Sequence, residues 1–257
     1  MHEAKKVSFS AENLRRTVLA AKAAGFGVLA MVLVWKLSKQ VVPNQSWAPI
    51  REPWHRVMGG PHLLRLSVSI ALLHVLLSLL FMALPFQVRA VFEIETAQVW
   101  KIYLPIFLCA LLCLRPALRW ANPLFRARHV LQTLSIVLGL STWVLLSGGA
   151  SRGLIWVALV IFFTSFNVLE AVLPSLVSRL VPQNQRGMAM GVYSTAQFFG
   201  IFLGGTIGGG LLQTWGTVGI QYGCLATVFL WLMALQGWST ASQSFNQEGD
   251  SAYGQGR

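Results

Sequence analysis

FNVLEAVLPSLVSRLVPQNQRGMAMGVYSTAQFFGIFLGGTIGGG, residues 166–210, decides how the rest of the chain is read. Its first part is an apolar segment broken only by Glu170 and Pro174. A short basic turn with Pro182, Arg186 and Gly187 follows, and then an uncharged, glycine-striped segment. An apolar run of about 20 residues crosses the roughly 30 Å hydrocarbon layer of a bilayer. The stretch therefore predicts two membrane-spanning helices joined by a tight loop.

Composition places the whole chain in the same class. Of 257 residues, 55% are hydrophobic and 11% charged, far fewer charges than a soluble domain carries. Mean hydropathy is +0.60. No Asp, Glu, Lys or Arg occurs from Gly187 to Gln247. A net charge of +12 in a soluble protein would suggest nucleic acid. Here the basic residues sit between apolar runs, where membrane topology and anionic lipid account for them, so a bilayer and not a nucleic acid is the expected partner.

Outward from the central stretch, apolar runs predict helices at 62–86, 99–118, 129–147, 154–180, 188–212 and 218–238, with 18–37 as a seventh candidate that either spans or lies at the interface. The expected organisation is a basic N-terminal segment and loop at 1–60, a six-helix domain at 61–238 and a disordered polar tail at 239–257. Residues 1–17 are polar and basic and do not read as a cleavable signal. The loops at 38–60, 115–129 and 179–186 are rich in Lys and Arg, and the intervening ones are not. The positive-inside rule puts the rich set, and the C-terminus, in the cytoplasm. A spanning 18–37 would put Lys5, Lys6, Arg15 and Arg16 outside, against the same rule.

The run N-x-x-E-A-x-L-P-S-L, the run RG-x-AMGVYST and the spaced glycines resemble the tenth helix, short cytoplasmic loop and eleventh helix of major facilitator superfamily transporters, in particular their YajR-type branch. The resemblance extends over about 60–240 and covers only the C-terminal six-helix half of a twelve-helix fold. It implies an all-α membrane protein and one half of a proton-coupled exporter, working on a small, lipophilic compound. The missing partner would be a complementary N-terminal half or a second copy of the chain. A truncated, non-transporting membrane protein or interaction subunit is the alternative.

Candidate site residues follow from both lines of reading. Glu170 lies deep in an apolar helix, where a charged group faces a cavity or a partner. An acid at that depth suits proton handling; it equally suits a structural ion pair, with Arg115 as the candidate partner. Asn167 shares its face, and Pro174 removes the hydrogen bond to the Glu170 carbonyl and predicts a kink. His74, mid-helix, is a proton carrier or a packing histidine. Tyr193 and Gln197, four residues apart, line a cavity or bind a neighbouring helix. Gly200, Gly204 and Gly208 have the small-xxx-small spacing that lets helix backbones meet; the resemblance adds a part in gating. It also makes Arg186 and Gly187 a cytoplasmic latch loop.

An enzyme is not expected. Neither H-E-x-x-H nor G-x-S-x-G occurs, the five histidines show no ligand spacing, and no metal or cofactor is implied. Cys109, Cys113 and Cys224 are expected to be buried packing residues.

Overall fold

A computed structural model describes residues 17–18, 24–25, 27–29, 31–33, 35–36, 61–121, 127–181 and 183–236. The chain divides into two units, Met1–Pro49 and Ile50–Arg257. In the first, the described residues are helical and exposed. Helix there is what both the spanning and the interfacial expectation for 18–37 require. The expected loop at 38–60 and the polar tail at 239–257 lie outside the described residues.

The second unit contains five continuous helices: α1 (Pro61–Phe92), α2 (Trp100–Ala121), α3 (Ala127–Leu146), α4 (Arg152–Leu180) and α5 (Arg186–Gln236). All five are long and apolar enough to cross a membrane. Straight, the 51 residues of α5 would reach about 77 Å at 1.5 Å per residue, far beyond one bilayer core. They do not run straight. Gly216 has φ 62° and ψ −150°, outside the helical region. A Cβ at Gly219 would stand 2.8 Å from the Leu211 carbonyl oxygen, and one at Gly223 would stand 2.7 Å from Leu211 Cδ1. Residues eight and twelve apart can meet so only where the chain folds back. α5 is thus two spanning arms, and the unit has the six spans expected. The turn expected over 213–217 contracts to Gly216, because a glycine alone reaches that conformation without strain.

Neighbouring helices alternate in direction. Arg152, at the start of α4, reaches Val91 and Glu93 at the end of α1, while His74 and Glu170 meet mid-helix. α3 and the second arm of α5 run antiparallel: Arg128 meets Gln236, Gly139 meets Val228, and Trp143 meets Gln221. α1 and the first arm of α5 run parallel, since Gly200, Gly204 and Gly208 meet Ala71, Val75 with Ser78, and Met82 in that order. The turns after α1, after α3 and at Gly216 therefore share one side. Ala121 with Ala127, and Leu180 with Arg186, share the other.

Several boundaries differ from expectation. α1 runs six residues past 86, through Pro85, and stops where Glu93 takes a positive φ of 54°. α4 begins at an N-cap, the Ser151 hydroxyl accepting from Leu154 N–H at 3.3 Å, and remains helical through Pro174 up to Val181. Arg186 and Gly187 are not loop residues: a 3₁₀ turn at Gln183–Gln185 leads directly into α5, and both belong to its first turn. Glycine carries no steric block to that helical start. Cys224 is buried as expected, but Cys109 and Cys113 are exposed. α2 turns most of its surface outward, burying only Ile106, Ala110 and Ala121, and that rotation carries both cysteines with it.

The core is a leucine-rich layer from α1, α3, α4 and the second arm of α5, centred on Leu66, Leu73, Leu80, Leu138, Phe162 and Trp231. The buried hydroxyls of Ser69, Ser141, Thr142 and Thr227 return to carbonyls of their own helices. Such self-capping lets polar side chains sit in an apolar interior without neighbouring water.

Candidate functional site

The polar centre of the bundle is assembled from three helices. α1 contributes His74, α4 contributes Glu170, and the first arm of α5 contributes Gln197. His74 Nε2 lies 3.5 Å from Glu170 Oε1. The Gln197 side-chain nitrogen lies 3.0 Å from the same His74 nitrogen. On the other side of the ring, Nδ1 is 3.1 Å from the Ile70 carbonyl oxygen, one turn back on α1. The imidazole is thus held at both nitrogens, and Gln197 and Glu170 converge on one of them.

Packing explains why these side chains meet. The glycine stripe brings α5 against α1 so tightly that Gly200 touches the Ala71 backbone, one turn before His74. A Cβ at Gly204 would stand 2.7 Å from Ser78 Cβ and 2.8 Å from the Val75 carbonyl oxygen. At that spacing Gln197, three residues before Gly200, reaches the histidine directly. From α4, the Phe166 ring meets the imidazole edge-on at 5.8 Å and stacks on Phe162 at 6.2 Å. These rings form an apolar wall beside the pair.

Exposure differs across the pair. The His74 side chain is 6% exposed and that of Glu170 is 32% exposed. Glu170 Oε1, facing the ring, is itself buried and accepts no hydrogen bond. So Glu170 is partly exposed, while the imidazole beside it is sealed inside the helix packing. Tyr193, one turn before Gln197, is buried and within electrostatic reach of Glu170.

The remaining expected residues fall elsewhere. Asn167 donates from its side-chain nitrogen to the Phe163 carbonyl at 2.7 Å, so its amide serves its own helix. Arg115 does not pair with Glu170. It faces away on α2 and lines a groove of about 400 Å³ with Leu111, Leu114, Leu118 and Arg119. The rotation of α2 that exposes its cysteines also carries Arg115 outward. Pro174 leaves the Glu170 carbonyl without its usual helical donor, one turn below the site. Residues that reading by type did not mark are Phe166, whose ring walls the site, and Arg152. The latter donates to Glu93 Oε1 and to the Val91 carbonyl, both at 2.9 Å, and ties α4 to the end of α1.

Six apolar spans around a buried polar cluster define a multi-pass α-helical membrane protein. The chain belongs to the Major Facilitator Superfamily, whose family model matches residues 18–205. It is similar to the inner membrane transport protein YajR of Escherichia coli (strain K12), at 33% identity over 183 residues, covering 71% of this chain and 40% of that protein. An uncharacterized transporter of Buchnera aphidicola subsp. Acyrthosiphon pisum (strain APS) is 32% identical over 143 residues, covering 54% of this chain and 36% of its own length. Another, from Buchnera aphidicola subsp. Baizongia pistaciae (strain Bp), is 27% identical over 155 residues, covering 60% and 39%. The chain matches less than half the length of each of these relatives.

Proposed function

We propose that this chain is one six-helix half of a proton-coupled secondary transporter of the inner membrane, exporting small, lipophilic compounds. The observation that carries the reading is the His74–Glu170 pair. Two titratable side chains from different helices meet at 3.5 Å in the middle of the spans. Polar groups at that depth are expensive and mark ion and substrate paths. The pair can hold one proton in either of two ways: a carboxyl beside a neutral imidazole, or a carboxylate beside an imidazolium. The charge separation differs between the two, so the packing of α1, α4 and α5 around the pair responds to where the proton resides.

Tyr193 and Gln197 lie beside the pair and would face the substrate path, while Asn167 and Pro174 shape α4 around Glu170. Transport in carriers built of two repeats needs both halves rocking about a site between them. The partner is therefore a complementary N-terminal half or a second copy of this chain. The side bearing Arg115, Arg119, Arg128, Arg179 and Arg186 is cytoplasmic by the positive-inside rule, and so is the C-terminus.

Vesicles test this directly. The chain alone should give no proton-driven flux of a lipophilic dye. Joined with the first six-helix half of a family relative, it should give flux that Glu170→Gln abolishes. Flux that survives Glu170→Gln would overturn the assignment of the pair.

A further inference from the structure

His74 can place its ring proton on either nitrogen, and its surroundings select one. Nδ1 faces the Ile70 carbonyl oxygen at 3.1 Å. A carbonyl only accepts, so Nδ1 keeps its hydrogen in every charge state. Nε2 is then the nitrogen that gains and loses a proton. It faces the Gln197 amide nitrogen at 3.0 Å and Glu170 Oε1 at 3.5 Å. In the neutral ring Nε2 is an acceptor, and an N–H of the Gln197 amide at 3.0 Å can donate to it. In the charged ring Nε2–H is a donor, and an amide N–H aimed at it opposes one donor with another.

The backbone cannot absorb that conflict. Gly200 already touches the Ala71 backbone, and Gly204 has no room for a methyl group against Val75 and Ser78. The adjustment falls to the Gln197 side chain, whose terminal torsion is broad and roughly two-fold. Turning it over replaces the N–H by the amide oxygen, which accepts from Nε2–H or leaves Nε2–H to Glu170. The geometry points to Gln197 as a positioning residue whose amide turns over when His74 takes up a proton, so that the α1–α5 seam registers the charge of the His74–Glu170 pair. This rests on the reading of that pair as the proton site. When the proton comes from Glu170, its O–H bond breaks and an N–H bond forms at Nε2. A carboxylate then faces an imidazolium, and the proton count is unchanged.

The titratable groups on the helices packed against His74 are few. Glu170 on α4 and Tyr193 on α5 lie beside the pair. Arg152 and Arg179 stand at the ends of α4, Arg186 at the start of α5, Tyr222 and Cys224 on its second arm, Arg128 and His129 in the first turn of α3, and His62, Arg65 and Arg89 toward the ends of α1 itself. The ring therefore answers chiefly to Glu170, and Gln197 is the neutral group that can follow it.

Solid-state NMR on the full chain in bilayers, with labelled histidine and glutamine side chains, is the test. His74 signals are assigned by their loss in His74→Asn and Gln197 signals by their loss in Gln197→Leu, or in Gln197→Asn if the leucine variant fails to accumulate. Across a pH titration, His74 Nε2 should pass from unprotonated to protonated. The Gln197 amide signals should shift with the same midpoint, and the close contact of the two nitrogens should be present only at the high-pH end. Gln197 signals that stay constant while His74 titrates would overturn the role of Gln197 and leave the His74–Glu170 site standing. A His74 ring that holds one charge state throughout would overturn both.

Discussion

His74 and Glu170, ninety-six positions apart in the chain, stand 3.5 Å from each other in the interior of the bundle. The contact ties α1 to α4 at mid-height, and an apolar wall of Phe162 and Phe166 lies beside it. Among the described residues this is the acid–base pairing found at that depth. Glu170→Gln keeps shape and hydrogen-bonding capacity, so it should leave helicity and thermal stability close to wild type. Proton uptake by detergent-solubilised protein should fall by up to one proton per chain, read with a pH dye. An unchanged proton count would remove Glu170 from the proton path.

His74→Leu should be the more damaging change at the same pair. It leaves the buried Glu170 Oε1 without its partner on α1 and should lower the melting temperature. The double variant His74→Leu/Glu170→Gln should recover part of that loss in a thermal melt. Additive losses in the two single variants and the double would show that the two side chains do not act as a unit.

The glycine seam makes a sharp prediction. Gly204→Leu should destabilise far more than Leu203→Ala, because any side chain at 204 meets Ser78 Cβ and the Val75 backbone. Overpacking costs about 1–3 kcal/mol, more where the obstacle is backbone. Gly205→Ala, pointing into open space, is the control and should melt like the wild type. Equal melting of the Gly204→Leu and Gly205→Ala proteins would show that this face of α5 is misassigned.

At Gly216 nothing lies within 4 Å of an added Cβ, so crowding is not at issue. Its φ of 62° with ψ of −150° is conformational space for glycine alone. Gly216→Ala should cost about 1–3 kcal/mol through backbone strain. Gly210→Ala, helical and equally open, should be neutral or slightly stabilising. A reversed order in denaturation would argue against a reversal at 216.

Sidedness is checked with single cysteines on a cysteine-free background. Gly149 and Gln183 are exposed and lie at opposite ends of the spans. An impermeant maleimide should label Gly149→Cys in intact cells and Gln183→Cys only after permeabilisation. The opposite pattern would invert the orientation.

Sequence alone marked the six spans between residues 61 and 238 and the helix face on which backbones approach closely. Run length marks a span because the hydrocarbon layer has a set thickness, and the spacing of Gly200, Gly204 and Gly208 marks a seam because only missing side chains let two backbones touch. The candidates Glu170, His74 and Gln197 were legible one by one, as polar groups in apolar helices. Their convergence was not. Depth along the helix matched Glu170 with Arg115, whereas the fold matched it with His74. The reason is rotational. In a bilayer an apolar face turns to lipid as readily as to protein, so the periodicity of α2 does not say which of its faces turns inward. Arg115, Cys109 and Cys113 look as inward as any neighbour until the packing of α2 on α4 turns them out. The tertiary structure also decided how tight the reversal within α5 is: the turn expected over 213–217 is drawn in to Gly216, because glycine reaches that backbone conformation without strain. Spans are legible because lipid reads length and charge; partners are not, because in an apolar solvent the choice of buried face is made by the neighbouring helix.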